Sequence, residues 1–236
     1  MITFRGVRPY YGDDAFLTSC KVRPIPEIEH ETVIIPGRPG VLTVSKMHRA
    51  RTIEVSFELL GHSAEKNAQI AESISVWAET TGDERFIFDE TPDRYYLAKL
   101  VDSSNVDYAE ECPTLDLSFI CVNPYAYSID LKTAEVGEPI IYHGTVATWP
   151  CIRFTPETDT NALTWTDGKR TITFDSDYTA AAGHEIVIDC ANKRCTDNGV
   201  SIMQYLSIAS DWLVLERFEN KIDGSGGRVE WRNAYL

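Results

Sequence analysis

The sequence predicts a mainly β protein: a β-sandwich with one helix in the N-terminal half and a β-sandwich or jelly roll in the C-terminal half. Three observations predict it. Two runs, Ile53–Leu59 and Leu115–Cys121, alternate apolar and polar residues, the mark of strands with one dry face. A single segment, around Ile70, Ile74 and Trp77, carries apolar residues at helical spacing. After residue 149 short strand-like runs recur between turn residues, and no helical period appears.

The first half reads in order as follows. Val33-Ile34-Ile35 and Val41-Leu42-Thr43-Val44 are apolar runs split by Gly37-Arg38-Pro39-Gly40. That predicts a hairpin or a projecting loop, longer than two residues because of the proline. The strand Ile53–Leu59 ends at Gly61, and Ser63 caps a helix running to Thr80, with Glu65 in its first turn. Lys66, Gln69 and Glu79 form its polar side, and Gly82 stops it. Phe86-Ile87-Phe88 and Tyr95–Val101 are strands, and the acidic stretch Asp102–Glu111 is a loop. The strand Leu115–Val122 then stops at Asn123-Pro124, because proline has no N–H to give a ladder, and Tyr125 and Tyr127 follow.

The stretch Asp130–Thr148 is a candidate boundary, with Gly137, Pro139 and Gly144 and no clear period beyond Ile140-Ile141-Tyr142. The predicted domains are therefore 1–132 and 133–236. In the second, Leu163–Thr166 and Lys169–Phe174 flank Asp167-Gly168 as a hairpin. His184–Cys190, Trp212–Arg217 and Arg228–Trp231 read as strands, and Asp223–Gly227 as a flexible turn.

Charge narrows the function classes. The net charge is −14 over 236 residues. Through residue 130 there are 12 lysines and arginines against 21 acidic residues, a net of −9; the remainder carries −5. No basic patch stands out, so nucleic acid is not expected as a gripped ligand, and anionic lipid is repelled as well. The start, Met1–Tyr10, has no apolar core of a signal peptide, and no run approaches membrane-spanning length. Synthesis in the cytoplasm is expected, with no membrane insertion.

No enzyme signature appears. His184-Glu185 lacks a second histidine at helical spacing, and Gly224-Ser225-Gly226-Gly227 lacks the spacing of a nucleophile elbow. The acidic groups Asp89, Glu90, Asp93 and Glu110, Glu111 read as solvated loops. The six cysteines are scattered; Cys121 reads as a small core hydrophobe. Cys190 and Cys195 flank a turn and could approach, but zinc sites show two tighter pairs, so no metal and no cofactor are expected. Trp149, Trp165, Trp212 and Trp231 are either core residues or, if displayed, platforms for sugar rings.

These segments, in this order, resemble the distal tail protein (Dit) family of long, non-contractile-tailed phages. The resemblance rests on Phe4-Arg5-Gly6, Ile35-Pro36-Gly37-Arg38-Pro39-Gly40, Arg51–Phe57, the helix ending in Trp77, Phe86–Asp89, Tyr95–Leu100 and Leu117–Tyr125. In the second half it rests on Gly144-Thr145, Trp149–Ile152 and Ile186–Cys190. The resemblance implies a virion tail component that is no enzyme. Its first domain would form a homo-oligomeric, hexameric ring, and its second would be an outward galectin-like sandwich. The implied partners are the tail-tube protein, the tail-tip or tail-associated lysin protein, and receptor-binding proteins or host polysaccharide. DNA would pass through the ring without being bound. Gly37, Arg38, Pro39, Gly40, Glu110 and Glu111 would then be oligomer or lumen loops. The alternative is a carbohydrate-binding module for host cell-wall polysaccharide.

Overall fold

The computed structural model describes residues 2–9 and 14–236; Met1 and residues 10–13, part of the first predicted domain, lie outside the described residues. The protein is mostly strand, with one α-helix, and the chain divides into two compact units, one through Ala126 and one over Tyr127–Tyr235.

The first unit contains β1 (Ile2–Phe4), β2 (Ala15–Val22), β3 (Ile28–Val33), β4 (Leu42–His48), β5 (Arg51–Leu59), helix α1 (Ala64–Ala78), β6 (Glu84–Phe88), β7 (Arg94–Ser103) and β8 (Thr114–Cys121). Six of these strands run in the order β1-β6-β7-β8-β5-β2 with antiparallel neighbours. Strand β7 turns the corner: Tyr96–Ala98 pair with β6, and Lys99–Ser103 pair with β8, with a bulge between Leu100 and Asp102. The two half-sheets so joined enclose the core.

The period-2 pattern of β5 explains its place. Ile53, Val55, Phe57 and Leu59 are buried, while Thr52 and Glu54 stay exposed. Helix α1 covers this face. Ser63 caps it by accepting a hydrogen bond from the Lys66 N–H, and Ile70 and Ile74 are buried. Trp77 is half-buried, its ring edge-on to Phe4, Phe57 and Phe119. The helix ends at Ala78, with Glu79 as its cap, two residues before the expected end at Thr80.

Strand β9 (Ala126–Ser128) starts at the last residue before the second unit, which goes on with β10 (Lys132–Glu135), β11 (Pro139–Tyr142), β12 (Cys151–Phe154), β13 (Thr160–Asn161), β14 (Thr164–Thr166), β15 (Thr171–Thr173), β16 (Thr179–Ala180), β17 (Ile186–Asp189), β18 (Arg194–Asp197) and β19 (Val200–Ser201). After a short 3-10 helix (Met203–Tyr205) come β20 (Phe218–Lys221), β21 (Asp223–Gly224), β22 (Arg228–Trp231) and β23 (Ala234–Tyr235). Strands β10-β22-β12-β17-β18-β19 form one sheet; β11-β20, β13-β16 and β15-β14-β21 form smaller ribbons, and β23 pairs with β9. One core joins them, built on Ile152, Trp165, Phe174, Ile188, Leu213 and Val229.

The structure corrects several local expectations. The stretch 130–148 holds two strands, β10 and β11, where only Ile140–Tyr142 showed a pattern. The Asp167-Gly168 connection is a four-residue turn, closed by the Asp167 N–H donating to the Arg170 carbonyl at 3.1 Å. Residues 212–217 form no strand. Their burial alternates, yet only Leu215 bridges, to Thr148. The Val214 and Glu216 N–H groups donate instead to Asp167 Oδ2 and Asn220 Oδ1. Side chains satisfy the backbone there, so no ladder forms. Asp223–Gly227 is not a flexible turn: Asp223–Gly224 pairs with β14, and a Cβ on Gly224 (φ +154°) would collide with the Thr164 carbonyl oxygen.

Candidate assembly surfaces

The β3–β4 arm stands apart from the other strands of the first unit. Its two strands pair only with each other, from Ile28↔His48 to Val33↔Leu42, with a bulge after Glu31. Its stem is polar and tied down. Arg49 N–H donates to the Glu27 carbonyl (2.8 Å), the Arg49 guanidinium meets Glu29 (2.6 Å), and Ser45 Oγ donates to Glu31 (3.1 Å). His48 Nδ1 lies 2.9 Å from the Tyr125 hydroxyl, with the rings edge-on. The corner at Asn123-Pro124 sets Tyr125 for this contact: the Tyr125 N–H donates to Asn123 Oδ1 at 3.2 Å.

The arm's far end is the reverse. Val33, Ile34, Val41, Leu42 and Val44 are all exposed, Ile34 at 75%. Gly37 (φ +81°) and Gly40 (φ +87°) turn the chain between them, and the Arg38 N–H closes the turn onto the Ile35 carbonyl. Isolated two-stranded ribbons are marginal in water, and clustered exposed aliphatics mark surfaces that another chain covers. The anchored stem and bare tip together make a clasp.

Gly37, Arg38, Pro39 and Gly40 are thus the exposed turn of the arm. Glu110 and Glu111 sit elsewhere in the first unit, in the exposed loop before β8. They line a small cleft with His62, Ser63, Ala64 and Asn67 at the start of α1. The structure does not bring the two groups into one cleft. The path β1-β6-β7-β8-β5-β2 ends at β1 and β2; β2 is bulged at Leu17/Ser19 and displays Phe16.

Cys121, Cys190 and Cys195 are buried free thiols. Burial pushes the thiols of Cys121 and Cys195 up to about 12 and that of Cys190 up as well, so they stay protonated. Asp89 pairs with Arg8, and Asp93 with Arg94, whose side-chain hydrogen bond holds the Asp93 carboxyl low. Trp165 and Trp231 are buried, Trp212 packs on the core, and Trp149 is exposed. Among the described residues no three His, Cys, Asp or Glu side chains group as a metal site, and no helix is long and apolar enough to cross a membrane. Sequence reasoning missed the His48–Tyr125 anchor, because nothing local joins residues 77 positions apart. It missed the exposed Phe218 and Ile141 for the same reason: their display depends on strand pairing.

Comparison with known proteins covers both units. The family described as the siphovirus-type tail component, C-terminal domain, matches residues 143–235, and the phage tail protein RIFT-related domain matches residues 9–121. The distal tail protein of Bacillus phage SPP1 is 26% identical over 200 residues, which span 82% of this chain and 79% of that one. The crystal structure of the SPP1 Dit protein, described as a paradigm of the hub adsorption apparatus in phages that infect Gram-positive bacteria, shares the fold. Its TM-score is 0.83, covering 100% of this chain and 98% of that chain at 20% identity.

Proposed function

We propose, from the premise that the chain belongs to the siphophage distal tail protein family, that this structural tail component closes into a hexameric ring joining the tail tube to the tail-tip or tail-associated lysin protein. The observation that carries this reading is the arm. Its tip offers aliphatic side chains that stay exposed among the described residues, while its stem meets the body at His48 and Tyr125. An arm that docks on a different surface of the next copy makes a head-to-tail contact, and such contacts close into rings when the rotation permits.

In this reading residues 1–132 build the ring and residues 133–236 project from it. The Gly37–Gly40 turn and the Glu110–Glu111 loop lie at subunit contacts or on the lumen. The −9 of the chain through residue 130 then serves passage: an acidic wall repels a phosphate backbone and lets DNA slide. Receptor-binding proteins would attach to the projecting unit. The protein would reside in the virion tail.

The test is light scattering and electron microscopy of the full chain over a concentration series. Six-fold rings with acidic lumens are expected. A chain that stays monomeric to its solubility limit overturns the ring, and a neutral or basic lumen overturns the sliding wall.

A further inference from the structure

The second unit displays an aromatic ring at a position where the backbone disfavours it. Phe218, the first residue of β20, is 69% exposed and has φ +81°, in the left-handed region that bulky residues avoid. The Asn220 side chain holds this backbone. Its Nδ2 donates to the Glu216 carbonyl (2.7 Å) and the Phe218 carbonyl (3.1 Å), while its Oδ1 accepts from the Glu216 N–H (2.8 Å). Glycine or asparagine would fit such a turn without strain. Local strain of this kind clusters where a displayed side chain has a task.

The ring lines one recess, and its neighbours Arg217 and Glu219 line a second. The first is an open hollow of about 440 Å³, floored by Pro139, Ile141 and Tyr142 and rimmed by His143 and Glu219. Ile141 and Phe218 are both exposed on the β11–β20 ribbon, where Tyr142 faces Phe218 and Ile141 faces Glu219. The second, sharing Glu219 with the first, is a polar cleft of about 440 Å³. The Arg217 guanidinium belongs to this cleft and lies 5.1 Å from the Phe218 ring centre.

The cleft's charge defines the ligand. Its four cations, Lys169, Arg170, Arg217 and Lys221, are matched by four carboxylates. Three of the four cations are tied to carboxylates: Lys169 to Glu216 (2.6 Å), Arg170 to Asp167 (3.2 Å) and Glu216 (3.6 Å), and Lys221 to Asp223 (2.7 Å). So the cleft is neutral on a protein of net charge −14. Polar groups already oriented by one another suit a ligand with many hydroxyls and no charge. An apolar ring and aliphatic floor beside them suit the C–H face of a pyranose. A hydrophobic peptide would use the floor and leave the charged grid unmatched.

We propose that Phe218, with the Arg217–Asp223 cleft beside it, binds a neutral saccharide. This site is independent of ring formation, since every residue in it belongs to the second unit. Saturation-transfer NMR on the full chain tests it, with methyl glycosides of galactose, glucose, N-acetylglucosamine and rhamnose as neutral probes and glycerol phosphate as the anionic one. Saturation transfer to ring C–H protons of at least one neutral glycoside is expected, with little to glycerol phosphate. Phe218→Gly, which suits the left-handed backbone, is expected to weaken binding roughly tenfold or more. The same change should leave Tm unchanged or raise it by about 2–4 °C through relief of strain. The site is overturned if no neutral glycoside receives saturation, if glycerol phosphate binds better than all of them, or if binding survives Phe218→Gly. A fall in Tm on Phe218→Gly also overturns it, because the ring would then be a packing element.

Discussion

Two hairpins in this molecule share one sequence signature and meet opposite ends. The β3–β4 arm and the β14–β15 hairpin are both antiparallel ribbons whose turns contain glycine. In β14–β15 the apolar pair Trp165 and Ile172 faces inward and is fully buried. Its turn is closed by Asp167, whose Oδ1 accepts from the Lys169 and Arg170 N–H groups at 2.9 and 2.7 Å. In the arm the anchors sit at the stem, and the apolar residues sit bare at the tip. The difference teaches that a hairpin's apolar residues locate a partner without saying in which chain it lies. The place where the polar anchors sit tells that.

The sharpest way to break this comparison is to empty the buried hairpin. Trp165 packs edge-on against Phe154 and Phe174 and donates from Nε1 to the Gly226 carbonyl at 2.9 Å. Trp165→Ala leaves a large cavity and an unpaired carbonyl, at a cost of about 3–5 kcal/mol. Urea unfolding followed in both units is expected to show the loss confined to the transition of the second. A loss below about 1 kcal/mol would mean that the hairpin is not part of that core.

The turn is next in size. Burial alone would raise the Asp167 carboxyl, but N–H donors from Arg170, Lys169 and Val214 and the Arg170 guanidinium more than reverse this and hold it low. A carboxylate held low in the folded state stabilises it above the unfolded value near ~4, and that contribution fades as pH falls through the lower folded value. Asp167→Ala is expected to cost about 2 kcal/mol at pH 7 and much less near pH 2. Asp167→Asn keeps one acceptor oxygen for the turn and should fall between. Denaturation midpoints at the two pH values decide it; equal losses at both would show that the charge is irrelevant.

How much of this was legible follows from where each signal comes from. The strand β5 and helix α1 were legible because each has one dry face inside its own unit, so burial writes a period into the sequence. Residues 212–217 carry the same alternation, but Asp167 and Asn220 take the hydrogen bonds that a neighbouring strand would have taken. Alternation reports which way side chains face and is silent about what the backbone bonds to. Strand β10, Lys132–Glu135, is largely exposed, so no pattern marked it. The Gly37–Gly40 turn was legible as a turn. That its flanks stay exposed among the described residues depends on how the rest of the chain packs, which no local pattern encodes.

The smallest expected effect on the fold is the one that separates the two hairpins. Ile34→Asp with Leu42→Asp places charges where side chains are already exposed, so the protomer's stability should stay within about 0.5 kcal/mol of the parent. Assembly couples to stability by mass action, since a partner that binds only the folded chain raises the apparent stability with concentration. The parent's Tm is therefore expected to rise with protein concentration, while that of the double variant stays flat. At the lowest concentrations the two should coincide. If the variant is instead destabilised at every concentration, the tip is covered within its own chain, and the arm is a second core hairpin of the same kind as β14–β15. If both curves are flat and coincide, the tip is bare but not a clasp between copies, and the contrast between the two hairpins lies in burial alone.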